Sequence, residues 1–242
     1  MKQGQLLTLA ALALAACAKQ PATTSAPANA LIAPTNATAA APAASPKLAK
    51  IFTADVLGSN VAFLETITGP AFRTDGDERT YKVDGCTIVV GATAGKIDNI
   101  GIANYGPACS FPIAQYFAGG YDHPAPQLPT FGDLQRGLGG DYGADCLRLC
   151  GNAADPVVSL TYQGSHADNF NTLYAAVPVV DDAVVAAYTT WGDKLAAKYG
   201  DQRLIEGTAK LDDTMQNTAQ AAFAAVRPTT IRVGSKLPGG GG

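Results

Sequence analysis

Residues 79–102 read RTYKVDGCTIVVGATAGKIDNIGI, and this stretch decides the fold. Its runs at 79–83 and 86–91 carry β-branched and aromatic residues, Ala94-Gly95-Lys96 marks a turn, and 97–102 reads as a further strand. Upstream, Ser59 is placed to cap a short helix in which Val61, Leu64 and Ile67, joined by Phe63, fall on one face. Gly69-Pro70 stops that helix, and Asp75-Gly76-Asp77 makes the turn into the strands. The expected order is helix, turn, antiparallel strands.

The same order returns further along. Thr130-Phe131-Gly132-Asp133 has the form of a capping box, Leu134 and Leu138 supply an apolar face, and Gly139-Gly140 ends the helix. Strands are expected at 157–162 and 170–177, with a polar turn through 164–168 between them. This reads as a degenerate internal repeat, weak in identity and consistent in element order.

The last third is helical in pattern. Asp181-Asp182 opens a helix in which Val184, Tyr188, Trp191 and Leu195 recur at helical spacing up to Gly200. A second helix is expected to carry Leu204, Leu211, Met215, Phe223 and Val226 and to stop before Pro228, after which 229–233 reads as a closing strand. Trp191 is expected in the core, with a partner for its indole N–H. The fold class is therefore α+β: two helix-plus-antiparallel-sheet repeats and a C-terminal helical pair.

The first residues carry Lys2 and then an apolar run over 6–16 broken only by Thr8, the pattern of a secretory signal peptide. That run is too short to span a bilayer, which takes roughly 20 apolar residues. Leu14-Ala15-Ala16-Cys17 resembles the bacterial lipobox, which implies a lipidated Cys17. The residue after it is Ala18 and not aspartate, which by that resemblance implies sorting to the outer membrane. Residues 18–46 are mostly Ala, Pro and Thr with almost no charge, a composition that cannot bury enough surface to offset its chain entropy. The expected organisation is a signal peptide over 1–16, lipidated Cys17 and tether over 17–47, and a first α+β unit with an aromatic loop over 48–128. A second unit over 129–180, helices with a closing strand over 181–234, and a tail over 235–242 complete it.

The formal net charge is -3 and no basic stripe is present, which argues against nucleic acid as a partner. Beyond Cys17 the cysteines are Cys86, Cys109, Cys146 and Cys150, an even set that reads as two disulfides in an exported domain. Three connectivities are open; the one expected joins Cys86 to Cys109 and Cys146 to Cys150. Zinc is the competing reading, but the Cys146/Cys150 spacing has no second pair at ligand distance in sequence.

Phe63-Leu64-Glu65-Thr66-Ile67-Thr68-Gly69-Pro70, Thr80-Tyr81-Lys82-Val83 and Gly95-Lys96-Ile97-Asp98-Asn99-Ile100 together resemble the BamE-like fold of a small lipoprotein of the outer-membrane barrel-assembly machinery. Two such units in tandem with disulfides are also similar to the β-lactamase inhibitor proteins. The resemblance covers at most 56–177, and Gly58-Ser59-Asn60 replaces the usual Gly-Met-Thr opening of the helix. It implies a protein-binding module and no reaction.

No catalytic centre, metal site or cofactor is expected. His123 lies in a proline-bounded loop, and the neighbouring Ser165, His166 and Asp168 share one turn, whereas a triad draws its members from distant places. Asp75-Gly76-Asp77-Glu78 lacks the spacing of a calcium loop, and Gly137, Gly139 and Gly140 close a helix where a phosphate loop would open one. The segment 104–129 holds Tyr105, Phe111, Tyr116, Phe117 and Tyr121 among Gly and Pro. Tyr105, Tyr116 and Tyr121 are the candidate interface residues, while Phe111 and Phe117 are expected to pack over the sheet. The expected function is that of a non-catalytic, lipid-anchored module that binds another envelope protein; the alternative is an inhibitor or immunity protein against a secreted hydrolase.

Overall fold

Four glycine-containing turns organise the polypeptide locally. Asp84-Gly85 and Ala94-Gly95 all have positive φ, between 50° and 83°, as the hand of a two-residue hairpin demands. They join β2 (Glu78–Val83), β3 (Cys86–Thr93) and β4 (Lys96–Ile102) into an antiparallel meander with Val83 opposite Cys86 and Thr93 opposite Lys96. Gly76 turns the chain from β1 (Arg73–Asp75) into β2, and Gly139 ends α3 (Phe131–Gly137). The computed structural model describes residues 45–117, 128–150, 155–166, 170–206 and 211–237, all within the compact unit Ala40–Gly242.

A second meander consists of β5 (Asp141–Ala144), β6 (Val157–Gln163) and β7 (Thr172–Pro178). The last strand, β8 (Thr230–Gly234), lies between the two meanders, and the sheet runs β1-β2-β3-β4-β8-β7-β6-β5 with every pair antiparallel. Ile231 pairs with Ile102 and Ala175, and Val233 with Ile100 and Leu173, so the strand expected to close the fold is its centre. The class is α+β, and one eight-stranded sheet runs through both stretches read as repeats.

Neither β1 nor β5 is legible in the sequence. All three residues of β1 are exposed, and β5 has one large apolar side chain, Tyr142. Both are edge strands; β1 is held by pairing alone, and β5 by pairing and the single buried ring of Tyr142. Their edges are blunted. The Tyr142 N–H donates to Gln216 Oε1 at 2.7 Å while Gln216 Nε2 donates to the Tyr142 carbonyl at 3.2 Å, and β1 carries the Arg73–Asp75 ion pair at 2.9 Å.

The helices follow their caps. Asn60, one residue after the expected Ser59, accepts from the Ala62 N–H at the start of α2 (Val61–Thr68), and Gly69 ends it with φ 80°. Leu64 is buried against the sheet, whereas Phe63 faces solvent. Thr130 and Asp133 form the reciprocal capping box at the start of α3. Helix α4 (Asp182–Tyr199) ends at Gly200 as expected. The single helix expected over 204–226 is instead α5 (Asp201–Ile205) and α6 (Asp213–Phe223), because Asp212 caps a new start by accepting from the Met215 N–H.

Helix α1 (Pro46–Ile51) lies partly inside the stretch read as tether. Ser45 accepts from the Lys47 N–H, Pro46 occupies the first turn where its missing N–H costs nothing, and Leu48 and Ile51 are buried. One hydrophobic cluster joins these to Tyr81, Ile88, Ile100, Phe131, Trp191 and Phe223. Tyr81 donates to Glu65 Oε1 of α2 at 3.2 Å, and burial together with that carboxylate pushes its hydroxyl up to about 12. Trp191 is fully buried, its ring 5.7 Å from that of Phe223 in an edge-to-face contact, but no described residue reaches its indole N–H. The partner expected there is not found among the described residues.

Candidate binding surfaces

The aromatic segment after β4 is core. Phe111 stacks on Phe52 with ring centres 4.2 Å apart, and the edges of Tyr105 and Tyr116 meet it at 5.9 and 6.1 Å. Tyr116 Oη donates to the Thr53 carbonyl at 3.2 Å and Gln115 Nε2 to that of Phe52 at 2.9 Å. The exposures of Tyr105 and Tyr116 are 7% and 4%, so neither stands on the surface as the exposed contact expected. Burial also raises the Tyr116 hydroxyl well above its ordinary range. The cause of the misreading is α1: Phe52, at its C-cap, is the partner that converts exposed tyrosines into a plug. Phe111 and Phe117 are buried as expected, Phe117 against Tyr162. Tyr121 lies outside the described residues.

The Cys86–Cys109 disulfide ties this plug to β3, with 23 residues of separation and Cα atoms 5.4 Å apart. Cys146 and Cys150 form the other, only four residues apart in sequence. These are the pairings expected, and the geometry is that of two ordinary disulfides.

Arg232 sits on the side of β8 opposite Ile231 and Val233. It is 6% exposed, with Nη1 2.7 Å from Glu78 Oε2 and Nη2 2.5 Å from Asn99 Oδ1. Asn99 in turn donates from Nδ2 to the Ser235 and Lys236 carbonyls at 3.0 and 3.2 Å. Nothing in the sequence pattern marks this arginine. The network neutralises a buried charge at the centre of the sheet and ties β8 to β2 and β4, a structural role.

The Cys146–Cys150 loop is held from four directions. Its disulfide closes it; Leu147 packs against the core; the Tyr188 hydroxyl donates to the Cys146 carbonyl at 3.0 Å; and Arg148 reaches α4 and α5. Arg148 Nη2 donates to Asp193 Oδ1 at 2.9 Å, and its Nε lies 3.1 Å from Asp201 Oδ1, an ion pair by distance without hydrogen-bond alignment. Leu149 is the exception: 83% exposed, with φ 49°. A left-handed Cβ costs roughly 1–2 kcal/mol, and an exposed leucine recovers none of it by burial. Sequence reasoning placed the loop and missed Leu149, because neither exposure nor φ is legible in Cys-Leu-Arg-Leu-Cys.

The remaining candidates resolve into structure. Asp75-Gly76-Asp77-Glu78 is the β1–β2 turn, with Asp75 paired to Arg73 and Glu78 to Arg232. His166 packs edge-to-face on Phe170 at 5.4 Å, while Asp168 and His123 lie outside the described residues. Gly140, at φ 114°, lies where a Cβ would come within 2.7 Å of the Thr161 carbonyl oxygen, so close strand packing accounts for it. Among the described residues no group of three His, Cys, Asp or Glu side chains could hold a metal ion, and no helix is long and apolar enough to cross a membrane.

No protein-family model, no curated protein and no solved structure matches the chain.

Proposed function

We propose that this protein is a lipid-anchored, non-catalytic protein-binding module of the cell envelope, its domain working at the periplasmic face of the outer membrane. The single observation that carries the reading is the Leu149 loop, a disulfide-closed loop that displays an apolar side chain in a backbone conformation that costs stability and gains no burial within the chain. Backbone strain outside a turn that needs it clusters at binding and active sites. Asp145, Asp193 and Asp201 outnumber Arg148 in and around the loop, so the complementary partner has an apolar socket with a basic rim. The lipobox-like Leu14-Ala15-Ala16-Cys17 supports the anchor, and two disulfides are compatible with an exported domain. Lipid confinement would raise the local concentration of the domain near its partner, so a small contact suffices. The two helix-and-meander halves are read as tandem BamE-like units.

The alternative, an inhibitor or immunity protein against a secreted hydrolase, draws on the same loop, since a pinned loop with one displayed side chain is the shape that enters a cleft.

The experiment is affinity capture by the lipidated chain from gently solubilised membranes, with wild type compared to Leu149→Gly and Leu149→Asp. Enrichment of one envelope protein by wild type, lost in both variants at unchanged fold, supports the reading. Equal capture by all three removes the loop from the interface. Loss of a hydrolase activity on mixing with wild type alone moves the assignment to the inhibitor.

A further inference from the structure

A pocket of about 170 Å³ lies where the segment after β4 meets the approach to β8. Tyr105, Leu128, Pro129 and Pro228 form its walls, with Pro107 and Arg227 among the residues at its lining. The walls are stiff. Proline rings do not change rotamer as open side chains do, and the Tyr105 N–H is bonded to the Thr229 carbonyl at 2.6 Å, which fixes the two sides of the pocket against each other.

Size restricts the occupant. Ligand pockets for larger molecules measure about 300–1,000 Å³. A cavity of roughly 150 Å³ takes a group the size of benzene. The pocket therefore accommodates one side chain, of leucine or phenylalanine size.

Charge restricts it further. Arg227 is exposed beyond the end of α6, and it makes no hydrogen bond or ion pair with any described residue. Arg73, Arg136, Arg148 and Arg232 are all paired with carboxylates. An arginine at the lining of an apolar pocket is matched by a ligand whose carboxylate stands beside an apolar group.

We propose that this pocket binds the C-terminal residue of a polypeptide, taking its apolar side chain between Tyr105 and the prolines and its α-carboxylate on Arg227. A chain end carries both features on a single carbon, so one residue satisfies the pocket and the charge together. A fatty acid would leave most of its carbons in water. The inference rests on the protein-binding reading and is separate from the Leu149 loop.

The test is calorimetric titration of the full-length lipidated protein, in detergent, with acetyl-Ala-Ala-Leu as the free acid, the same peptide as its C-terminal amide, and hexanoate. The free acid is expected to bind saturably, the amide about tenfold more weakly for want of the charge-assisted contact, and Arg227→Gln to lose a similar factor for the acid alone. Arg227 is exposed, so that variant keeps its unfolding midpoint. Leu149→Gly is expected to bind the peptide as wild type does. Equal affinity for acid and amide, no effect of Arg227→Gln, or no binding at all overturns the proposal. Hexanoate binding as tightly as the peptide overturns the chain-end assignment. Failure here with Leu149-dependent capture intact removes this site and leaves the protein-binding reading standing.

Discussion

The Cγ of Arg232 lies 2.5 Å from where a methyl group on Gly101 would stand, so the central arginine crosses β4 through a gap that only glycine leaves. The two residues are register partners on β4 and β8. Gly101→Ala is therefore expected to force those strands apart or displace Arg232 from Glu78 and Asn99. A loss of about 1–3 kcal/mol or more is expected, read as a lower urea midpoint. The Ile231 carbonyl oxygen is nearer still, so an unchanged midpoint would show that β4 and β8 do not approach this closely at Gly101.

Tyr116 separates packing from hydrogen bonding. Tyr116→Phe keeps the ring against Phe111 and loses only the bond to the Thr53 carbonyl, at a cost of about 1 kcal/mol. Tyr116→Ala removes the ring and is expected to cost about 3–5 kcal/mol. If both variants unfold at the wild-type midpoint, the tyrosine is surface after all and returns to the list of interface residues.

The two disulfides are expected to differ in weight. Replacing Cys86 and Cys109 by alanine frees a 23-residue loop and costs about 3 kcal/mol on the chain-entropy model, against about 2 kcal/mol for Cys146 and Cys150 at a separation of 4. Urea unfolding of the two double variants measures the difference. Only the second is expected to reduce capture at unchanged fold, because it loosens the mount of Leu149.

Acid sensitivity follows from Asp133. Hydrogen bonding from the Thr130 backbone, with the Thr130 hydroxyl and Arg136 adding to it, outweighs burial and holds its carboxyl below the usual range. A carboxyl lowered in the folded state contributes stability that is complete above the unfolded value near 3.9 and is lost as pH falls through the folded value. Asp133→Asn should thus be less stable than wild type at neutral pH, by about 0.3–1 kcal/mol for a lost negative charge in the first turn of α3, with the gap closing in acid. A gap that persists below both values would mean that the charge plays no part.

Leu149→Gly is expected to make the protein more stable. Relief of a left-handed Cβ is worth roughly 1–2 kcal/mol, offset by roughly 0.4–1 kcal/mol of extra chain entropy in the unfolded state, for a net gain centred on about 0.8 kcal/mol. Thermal unfolding of the variant beside wild type reads this directly. Lower stability would mean that Leu149 makes a contact within the fold, and the functional reading of the loop would go with it.

Much of the architecture is written locally. The turns at Gly76 and Gly95, the strand runs of β2 to β4, the capping box at Thr130 and the apolar spacing of α4 each depend on a few neighbouring residues, and the structure has them where the sequence pattern put them. The disulfide pairs belong to this class, since both join cysteines close in sequence. What the sequence did not determine depends on partners far along the chain. Asn99 and Arg232 meet across 133 residues, the Tyr116 hydroxyl is bonded to Thr53, 63 residues earlier, and the short β1 and β5 are each paired to a longer strand. Turns, caps and helix faces answer to short-range sterics and spacing. Burial, the centrality of β8 and the isolation of Leu149 answer to which surfaces meet, and that was settled only when the two meanders closed on the last strand.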